Sequence, residues 1–396
     1  MTIRRMTLED LDQSQQLASY AYGITSPEWA ETDSKLFEIT HNQTYCMEVE
    51  GTIAASVRNI PFEQNIHDNW KDMGGISMVA SLPEHRRKGY VRDLMKRILN
   101  DAYEAGHATS TLYPFKSSFY TRMGYAKMLP SLSLNVNPAQ FRIWRNPPGY
   151  SVVRGDYAEV GKDWQEVHAR YVGSVHGGVR RSATRWREFE LSLKSTLAII
   201  YGPDGTPQGA IVYKTKGYGD FSGEENRGLM RIRELLYLNG EARSAMFSFI
   251  HLHQDQIVDV KMPVGPHIRD YSHWVTDANV LDMKAHILHM ARIVNLEEAF
   301  RNYPVRGEGN LALKVSDPII AKNDRTYRFE WEGGNIAVEE TEKTPDGEIS
   351  VEGLSALYYG LLSPKELIEL DYLVGEECSP LEGLFTRSIP YLTEPF

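Results

Sequence analysis

The stretch 85–91, His-Arg-Arg-Lys-Gly-Tyr-Val, combines three adjacent cationic side chains with a glycine. It lies between an apolar, strand-like run at 76–82 and an amphipathic helix. The first turn of a helix presents backbone N–H groups that have no intrahelical partner, and the helix dipole adds partial positive charge. A glycine lets the backbone approach a bulky group closely. This turn therefore predicts a site for a polyanion such as a diphosphate, although a solvated basic turn would have the same composition.

Elements of alternating type surround the basic turn. After it, apolar residues recur at helical spacing and predict a helix with one apolar face: Val91, Leu94, Met95, Ile98, Leu99, Ala102 and Ala105. Gly106 stands where a helix commonly ends. A short strand at 109–113 and a second helical segment follow, and this segment ends in Phe119-Tyr120-x-x-x-Gly124-Tyr125.

This order of strand, basic glycine turn, helix, strand and Phe-Tyr-x-x-x-Gly-Tyr resembles the acyl-CoA-binding half of the GNAT family of N-acetyltransferases. The family pattern, Gln/Arg-x-x-Gly-x-Gly/Ala, reads Arg86-x-x-Gly89-x-Val91 here. The valine departs from the pattern and leaves slightly less room beside a pyrophosphate. The resemblance implies acetyl-CoA as co-substrate and acetyl transfer to an amine.

The resemblance also assigns the coenzyme contacts. Val79 and Ser81, at the end of the strand, would offer backbone groups to the pantetheine arm. The residues implied to wrap the diphosphate are Arg87, Lys88, Gly89, Tyr90, Val91 and Arg92. Phe115 and Lys116 stand where the best-known family pattern has Ser-Glu, which leaves their contact with the coenzyme unassigned.

Acetyl transfer from a thioester to an amine needs a base for the amine proton, a donor for the oxyanion and a proton for the departing thiolate. In the GNAT pattern, the tyrosine of Phe-Tyr-x-x-x-Gly-Tyr lies near the thioester sulfur, and here that residue is Tyr120. A phenol with an ordinary pKa of about 10 is protonated at pH 7. The resemblance therefore implies Tyr120 as the acid; the alternative is that it only packs the strand–helix junction.

Composition fits a globular enzyme of two or three domains. The chain has 396 residues, of which 24% are charged and 42% are hydrophobic. Its formal net charge of −10 argues against nucleic acid as the main partner and favours cationic substrates. We find neither an apolar signal region nor a run of about 18 apolar residues, so we expect no membrane partner. Cys46 and Cys378 cannot form a disulfide framework, and a cytoplasmic location fits best.

The pattern of elements predicts three domains. A mixed α/β domain, 1–135, carries the basic turn, and a second domain, 136–287, repeats the order of elements. Its corresponding turn, Leu-Asn-Gly-Glu at 238–241, lacks the cationic triplet and places Glu241 where a pyrophosphate would need positive charge. We therefore expect this second, GNAT-like domain not to bind coenzyme. The third domain, 288–396, resembles a sterol-carrier-protein-type α+β domain, particularly at Leu-Ser-Ala-Leu-Tyr-Tyr-Gly, 354–360.

Tandem GNAT-like domains with mixed sheets, followed by this third module, resemble the Eis (enhanced intracellular survival) family of bacterial acetyltransferases. The resemblance covers essentially the whole chain. It implies a homo-oligomer, namely a hexamer, and a small amine substrate of polyamine-like or aminoglycoside-like type.

The Eis resemblance also points to the α-carboxylate of Phe396 as the catalytic base. Termini are usually frayed and polar, yet the tail 389–396, Ile-Pro-Tyr-Leu-Thr-Glu-Pro-Phe, is largely apolar and carries two prolines that restrict it. A free α-carboxyl has a pKa of about 3.3–3.7 and must be raised by burial, or act through water, to serve as a base. A docked or disordered tail is the alternative.

Other readings of the chain concern metals and partners. The pairs His251/His253 and His286/His289 lack a third ligand in a recognised pattern, so we expect no metal. A peptide-bond-forming tandem GNAT enzyme that uses aminoacyl-tRNA is one alternative function, against which the acidic balance and the intact diphosphate turn argue. A lipid- or sterol-binding protein, led by the third domain, is the other.

Overall fold

The computed structural model describes residues 1–142, 145–217, 228–286, 289–375, 380–385, 387–394 and 396. The chain divides into two compact units. The first consists of Met1–Met128, Arg181–Leu191 and Leu288–Phe396, and the second of Leu129–Arg180 and Ser192–Ile287. The first unit is therefore assembled from three separate stretches of chain.

Helices and strands of the described residues are numbered in chain order. The strands are β1 Thr2–Arg5, β2 Thr44–Val49, β3 Thr52–Ile66, β4 Asn69–Ser81, β5 Thr109–Leu112, β6 Ala126–Lys127, β7 Ser131–Val136, β8 Ser151–Gly155, β9 Val179–Arg180, β10 Thr196–Tyr201, β11 Pro207–Lys216, β12 Leu229–Tyr237, β13 Asp259–Val264, β14 Asp282–His286, β15 Met290–Ile293, β16 Gly309–Ser316, β17 Thr326–Glu332, β18 Asn335–Glu340, β19 Gly347–Ser350 and β20 Leu373–Val374. The helices are α1 Leu11–Tyr22, α2 Pro27–Thr40, α3 Tyr90–Glu104, α4 Ser117–Thr121, α5 Tyr157–Gly173, α6 Ala183–Ser192, α7 Gly240–His251, α8 Leu296–Phe300, α9 Val351–Tyr358, α10 Pro364–Glu369 and α11 Pro380–Leu384.

The main sheet of the first unit runs in the order β1-β2-β3-β4-β5-β15-β6. Its strands pair antiparallel except at β4 and β5, which are parallel. The apolar face of α3 packs on this sheet through Leu94, Met95, Ile98 and Leu99, all of which are buried. The apolar residues that recur at helical spacing in the sequence are thus the ones that pack in this core. The basic turn lies directly before the first residue of α3.

The second unit contains a sheet of order β14-β7-β13-β12-β11-β10-β8, again with one parallel pair, β12 and β13. Helix α5 begins at a capping box, in which Asp156 accepts from the Glu159 backbone and Glu159 accepts from the Asp156 backbone. The core of this unit includes Phe247 of α7, which contacts Trp274 and Phe141. This unit therefore has a hydrophobic core of its own.

A third sheet, β18-β17-β16-β19-β20, belongs to the first unit. The buried helix α9 joins this sheet to the main one, because the Ser355 hydroxyl of α9 accepts a 2.9 Å hydrogen bond from the Ile293 backbone of β15. Helix α10 starts with Ser363 as N-cap and Pro364 at its first position, two residue types that favour a helix start. The C-terminal region therefore lies directly against the main sheet.

Two further features bear on the sequence-based expectations. Cys46 is buried in β2, and Cys378 lies outside the described residues. Among the helices that the structure describes, none is both long enough and apolar enough to cross a bilayer.

Candidate active site

Strands β4 and β5 part at the centre of the main sheet. Their parallel register runs from Met73 opposite Thr109 to Ile76 opposite Leu112, whereas β4 continues to Ser81. Opposite β3, the pairing of β4 shifts between Ser77 and Ala80. A bulge of this kind bends a strand and interrupts its ladder. The segment 77–81, which includes the predicted pantetheine contacts Val79 and Ser81, therefore lies beyond the β4–β5 register and contains the bulge.

The basic turn leads from this strand into α3. Arg87 and Gly89 both have left-handed backbone conformations, with φ of 61° and 86°. Gly89 is the N-cap of α3, and within the described residues no side chain caps this helix start. The N–H groups of the first turn are thus presented without a competing side chain, as an anion site requires.

The cationic side chains of the turn are exposed, namely Arg86, Arg87, Lys88 and Arg92. Arg86 lies over the ring of Tyr20 at 5.9 Å, and Arg92 lies 3.7 Å from the carboxylate of Asp93. Tyr90 and Val91 are half-buried against the core of the sheet, so of the predicted set they can offer a ligand mainly their backbone. All six residues expected to wrap a diphosphate lie on this one turn.

Tyr120 lies in α4, which follows β5. Its side chain is 1% exposed and sits among the rings of Phe119 at 5.1 Å, Phe115 at 5.5 Å and Tyr125 at 6.1 Å. Burial raises the pKa of the Tyr120 phenol above its ordinary value. Because the raised pKa keeps the phenol protonated at neutral pH, its hydroxyl can donate a proton or hydrogen bond to a nearby anion.

Tyr22, the last residue of α1, belongs to the same region and was not singled out from the sequence. Its hydroxyl donates a 3.3 Å hydrogen bond to the backbone carbonyl of Val79, and burial raises its pKa to about 12. Its electrostatic influence also raises the pKa of Tyr120. An aromatic pair at the end of a helix, Tyr20 and Tyr22 before Gly23, is the signal that the sequence offered.

Phe396 lies against the middle of the main sheet. Its ring stacks on Phe62 of β3 with centroids 5.4 Å apart. Gly75 of β4 lies beneath both rings, since a Cβ there would come within 2.7 Å of Phe62 and 3.2 Å of Phe396. Gly75 pairs with Thr111 of β5, next to the last pair of the β4–β5 register. The C-terminal residue is therefore placed beside the point where the two strands part.

His289 is a second residue of this region that the sequence did not assign to the site. It directly precedes β15, is 7% exposed and meets the ring of Tyr113 edge-on at 5.7 Å. Burial lowers its pKa to about 4, although a hydrogen bond with the Glu394 backbone acts in the opposite sense. His289 is therefore neutral at pH 7 and touches the tail that carries Phe396.

The corresponding turn of the second unit differs in two ways. The side chain of Asn239 accepts a 2.7 Å hydrogen bond from the Ala242 backbone and so caps α7. Glu241 occupies the first turn of the same helix. The start of α7 therefore has a side-chain cap and an acidic residue, whereas the start of α3, which also has an acidic residue, Asp93, has no side-chain cap among the described residues and follows three adjacent cationic residues.

In the described part of the chain, the four histidines considered as metal ligands belong to no cluster of potential metal ligands. The rings of His251 and His253 contact the backbone carbonyls of Pro138 and Phe249 at 3.2 and 3.0 Å. Throughout the described residues, no group of three or more His, Cys, Asp or Glu side chains is arranged to hold a metal ion.

The arrangement can bind and transfer an acyl thioester. A linear, amide-containing chain can hydrogen-bond to backbone groups of 77–81, beyond the end of the β4–β5 register, while its diphosphate meets the uncapped helix start and the exposed cations. Tyr120 belongs to the same core cluster as Ile76 and Leu112, the last pair of the β4–β5 register, and Phe396 lies against Gly75, next to that pair. A reacting centre at that point would have a proton donor and the C-terminal segment within the same part of the sheet.

Comparison with known proteins assigns this site to a class. Residues 2–128 and 177–293 each match a family model described as an acetyltransferase (GNAT) domain, and residues 296–393 match a sterol carrier protein domain. The protein is a GNAT acyltransferase with tandem GNAT domains and a C-terminal sterol-carrier-type domain. GNAT acetyltransferases use acetyl-CoA as co-substrate.

Relatives that match most of the chain indicate which type of GNAT enzyme it resembles. N-acetyltransferase Eis of Mycobacterium tuberculosis is 23% identical over 335 residues, which cover 81% of this chain and 79% of that protein. An uncharacterized N-acetyltransferase of Streptomyces avermitilis is 24% identical over 299 residues, which cover 73% and 72%. This chain is therefore similar to N-acetyltransferase Eis over about four fifths of its length.

Solved structures share the complete fold. A probable N-acyltransferase of Enterococcus faecalis superposes with a TM-score of 0.87 at 23% identity, covering 100% of this chain and 99% of that one. Eis1 of Mycobacterium abscessus superposes with a TM-score of 0.80 at 17% identity, covering 100% of both chains. The predicted fold class, family resemblance and enzyme class are thus confirmed.

Proposed function

We propose that this enzyme transfers the acetyl group of acetyl-CoA to a primary amine of a small polycationic substrate, by direct attack on the thioester. What supports the proposal is the place of these residues along the main sheet: the uncapped turn at Gly89 follows β4, Tyr120 follows β5, and Phe396 lies against Gly75 of β4. The formal net charge of −10 supports a cationic acceptor, because it attracts such a molecule over long range.

In this proposal the coenzyme is held by two segments. Val79 and Ser81 hydrogen-bond to the pantetheine arm through their backbone groups. The diphosphate is bound by the turn that contains Arg87, Lys88 and Gly89, with Tyr90, Val91 and Arg92 completing the first turn of α3. Because a free diphosphate is heavily hydrated, the exposed cations and the N–H groups together must replace that hydration.

The reaction then needs two proton transfers. The neutral amine attacks the thioester carbonyl carbon, a C–N bond forms, and the C–S bond breaks as the thiolate leaves. Tyr120 gives its phenolic proton to the thiolate. With Phe396 as the terminal residue, its α-carboxylate accepts the amine proton, directly or through water. The ring contacts of Phe396 with Phe62 and Gly75 support this role, because they place the end of the chain beside the last pairs of the β4–β5 register.

The acceptor class is tested by a panel of amines with acetyl-CoA, in which released thiol is measured. Polyamines and aminoglycosides should react with higher kcat/KM than matched monoamines, because each added charge strengthens attraction to the acidic protein. Amino acids, which carry a carboxylate beside the amine, serve as the control. Equal kcat/KM for monoamines and polyamines would contradict the polycationic class, and an absence of thiol release with every amine would contradict the proposal as a whole.

The base is tested by changing the C-terminus. Deleting Phe396 moves the carboxylate back by about 3.3–3.6 Å of chain, which is beyond hydrogen-bond reach of the same amine. We expect kcat to fall by about 10²–10⁴-fold, the usual contribution of a general base, with the dissociation constant of acetyl-CoA unchanged. Phe396→Leu keeps the carboxylate and should be much milder. Full activity of an enzyme whose C-terminus carries an uncleaved tag would rule this base out.

We further propose that the three sequence-predicted domains have separate roles. Domain 1–135 binds coenzyme and catalyses, 136–287 shapes the acceptor side without coenzyme, and 288–396 delivers the C-terminus. The assembly is a closed homo-oligomer, a hexamer on the family resemblance. Light scattering should then give about six times the chain mass of 45.1 kDa, and a 45.1 kDa particle at all working concentrations would contradict it.

A further inference from the structure

The carboxylate of Glu394, two residues before Phe396, is fully buried in an ionic contact. Arg181 donates to it at 2.5 Å and Arg185 at 2.8 Å, both through Nε. The side chains of Arg181 and Glu394 have no exposed area, and that of Arg185 is 13% exposed. Burial alone would raise the pKa of Glu394, but the two guanidinium groups lower it further than burial raises it, so the carboxylate is ionised.

The two arginines are themselves fixed by aromatic rings and by a second carboxylate. The Arg181 guanidinium lies 4.5 Å from the ring of Phe189 and 4.8 Å from that of Trp186. Arg185 also lies over Phe189, at 4.8 Å, and pairs with Glu188 at 2.8 Å. Neither guanidinium is therefore free to follow the tail if the tail moves.

This group of charges is anchored to the main sheet. Glu188 pairs with Arg58 of β3 at 2.5 Å, with both side chains buried. Arg58 and Phe62, the stacking partner of Phe396, are four residues apart on β3 in a stretch of regular register. Residues two or four apart point to the same face of a strand, about 13 Å apart here. One face of β3 thus supports both the ionic contact of the tail and the ring at its end.

A buried ion pair is a weak source of net stability, because desolvation opposes the Coulomb attraction. It is, however, directional: a carboxylate bonded by two fixed guanidinium groups has little freedom to slide or rotate. At Glu394 a fixed position matters, because a shift of the tail by one residue would move the terminal carboxylate by about 3.3–3.6 Å. The contact is therefore suited to set where the chain end lies.

We propose that Arg181, Arg185 and Glu394 form a positioning socket, which fixes the C-terminal residue at the point where β4 and β5 part. The inference rests on the proposed function, in which the carboxylate of Phe396 is the base. In this proposal the three residues act through the tail and not directly on substrate or coenzyme. His289, which directly precedes β15, lies beside the same segment, since the Glu394 backbone influences its pKa.

The test is Glu394→Gln, which keeps the shape of the side chain and removes its charge. A misplacement of about 1 Å can cost about 10²-fold in rate, so we expect kcat to fall by about that factor, with the dissociation constant of acetyl-CoA within twofold. Hydrogen exchange followed by mass spectrometry should become faster in peptides of residues 387–394. Adding the deletion of Phe396 should lower kcat no further than the deletion alone.

Two controls separate positioning from general stability. Asp10→Asn breaks an ion pair with Arg4 elsewhere in the unit, and should lower thermal stability while keeping kcat and tail exchange. Arg185→Lys keeps the charge but not the planar donor geometry, and offers a milder variant if Glu394→Gln folds poorly; it should lower kcat partially.

The outcomes distinguish the socket from the proposed base. If deletion of Phe396 lowers kcat but Glu394→Gln and Arg185→Lys do not, the socket is overturned and the base stands. If deletion of Phe396 leaves kcat unchanged, the base falls and the catalytic purpose of the socket falls with it. A fall of kcat in Glu394→Gln with unchanged tail exchange would also overturn the socket.

Discussion

Replacing Gly89 by alanine tests the diphosphate turn at the position where its backbone tolerates a side chain least. Gly89 has φ of 86°, a left-handed conformation in which a Cβ costs about 1–2 kcal/mol. The added Cβ would lie 3.3 Å from the end of the flexible Arg92 side chain, which can move away. The backbone conformation is therefore the main source of the penalty.

The penalty should appear in binding. If the turn relaxes in the free variant, acetyl-CoA must restore the native conformation, and its dissociation constant should rise about 5- to 30-fold, since 1.4 kcal/mol corresponds to a factor of ten. Isothermal titration calorimetry measures this directly. Gly89→Asp adds a negative charge beside the diphosphate and should abolish detectable binding without unfolding the protein.

Gly106, at the other end of α3, provides the matched control. It has φ of 80°, and nothing lies within 4 Å of the position of its Cβ. Gly106→Ala should cost a similar 1–2 kcal/mol in the free energy of unfolding, yet leave the dissociation constant of acetyl-CoA within twofold. An unchanged dissociation constant in Gly89→Ala, or equal weakening in both variants, would refute the assignment of the diphosphate to this turn.

Three further predictions concern the acid, a partly buried ion pair and the second unit. Tyr120→Phe keeps the packing but removes the hydroxyl, so kcat should fall by about 10²–10⁴-fold with little change in KM for acetyl-CoA, and a loss below threefold would leave Tyr120 a structural residue. Asp10 pairs with Arg4, which lowers the pKa of Asp10 to about 2, so its stabilisation is present above about pH 4 and is lost as the pH falls through 2. Asp10→Asn should therefore lower the free energy of unfolding by about 1–2 kcal/mol at pH 7, and this difference from wild type should shrink between pH 4 and pH 2 in urea titrations. Because Asn239 caps the equivalent helix of the second unit, calorimetry should give one acetyl-CoA per chain, and two equivalents would contradict that reading.

Local elements of the fold could be predicted because their causes are local. The apolar face of α3, the glycine that ends it and the N-cap at Ser363 are set by residues within a few positions of one another. The same holds for the turn at 85–91, whose residue types already indicate an anion site. Such features need no knowledge of the rest of the chain.

Long-range features could not be predicted from periodicity. Strand β15 inserts between β5 and β6, although it follows them by more than 160 residues, and residues 181–191 join the first unit although they lie within the second GNAT match. The pair Arg58–Glu188 joins positions 130 residues apart. From the sequence alone, each of these two charged residues would be expected on the solvent-exposed surface. Only the fold shows that these charges are buried and paired.

One long-range feature nevertheless left a local trace. Gly74 and Gly75 lie inside β4, where a glycine contributes no side-chain packing and costs conformational entropy. Such a position indicates that another group approaches the backbone closely. At Gly75 that group is the ring pair of Phe62 and Phe396, which a Cβ would displace. The small residue in the strand and the large residue at the chain end are thus two parts of one arrangement. Neither residue explains the other until the fold brings them together. The sequence could therefore indicate that the C-terminus is important but not where on the sheet it packs.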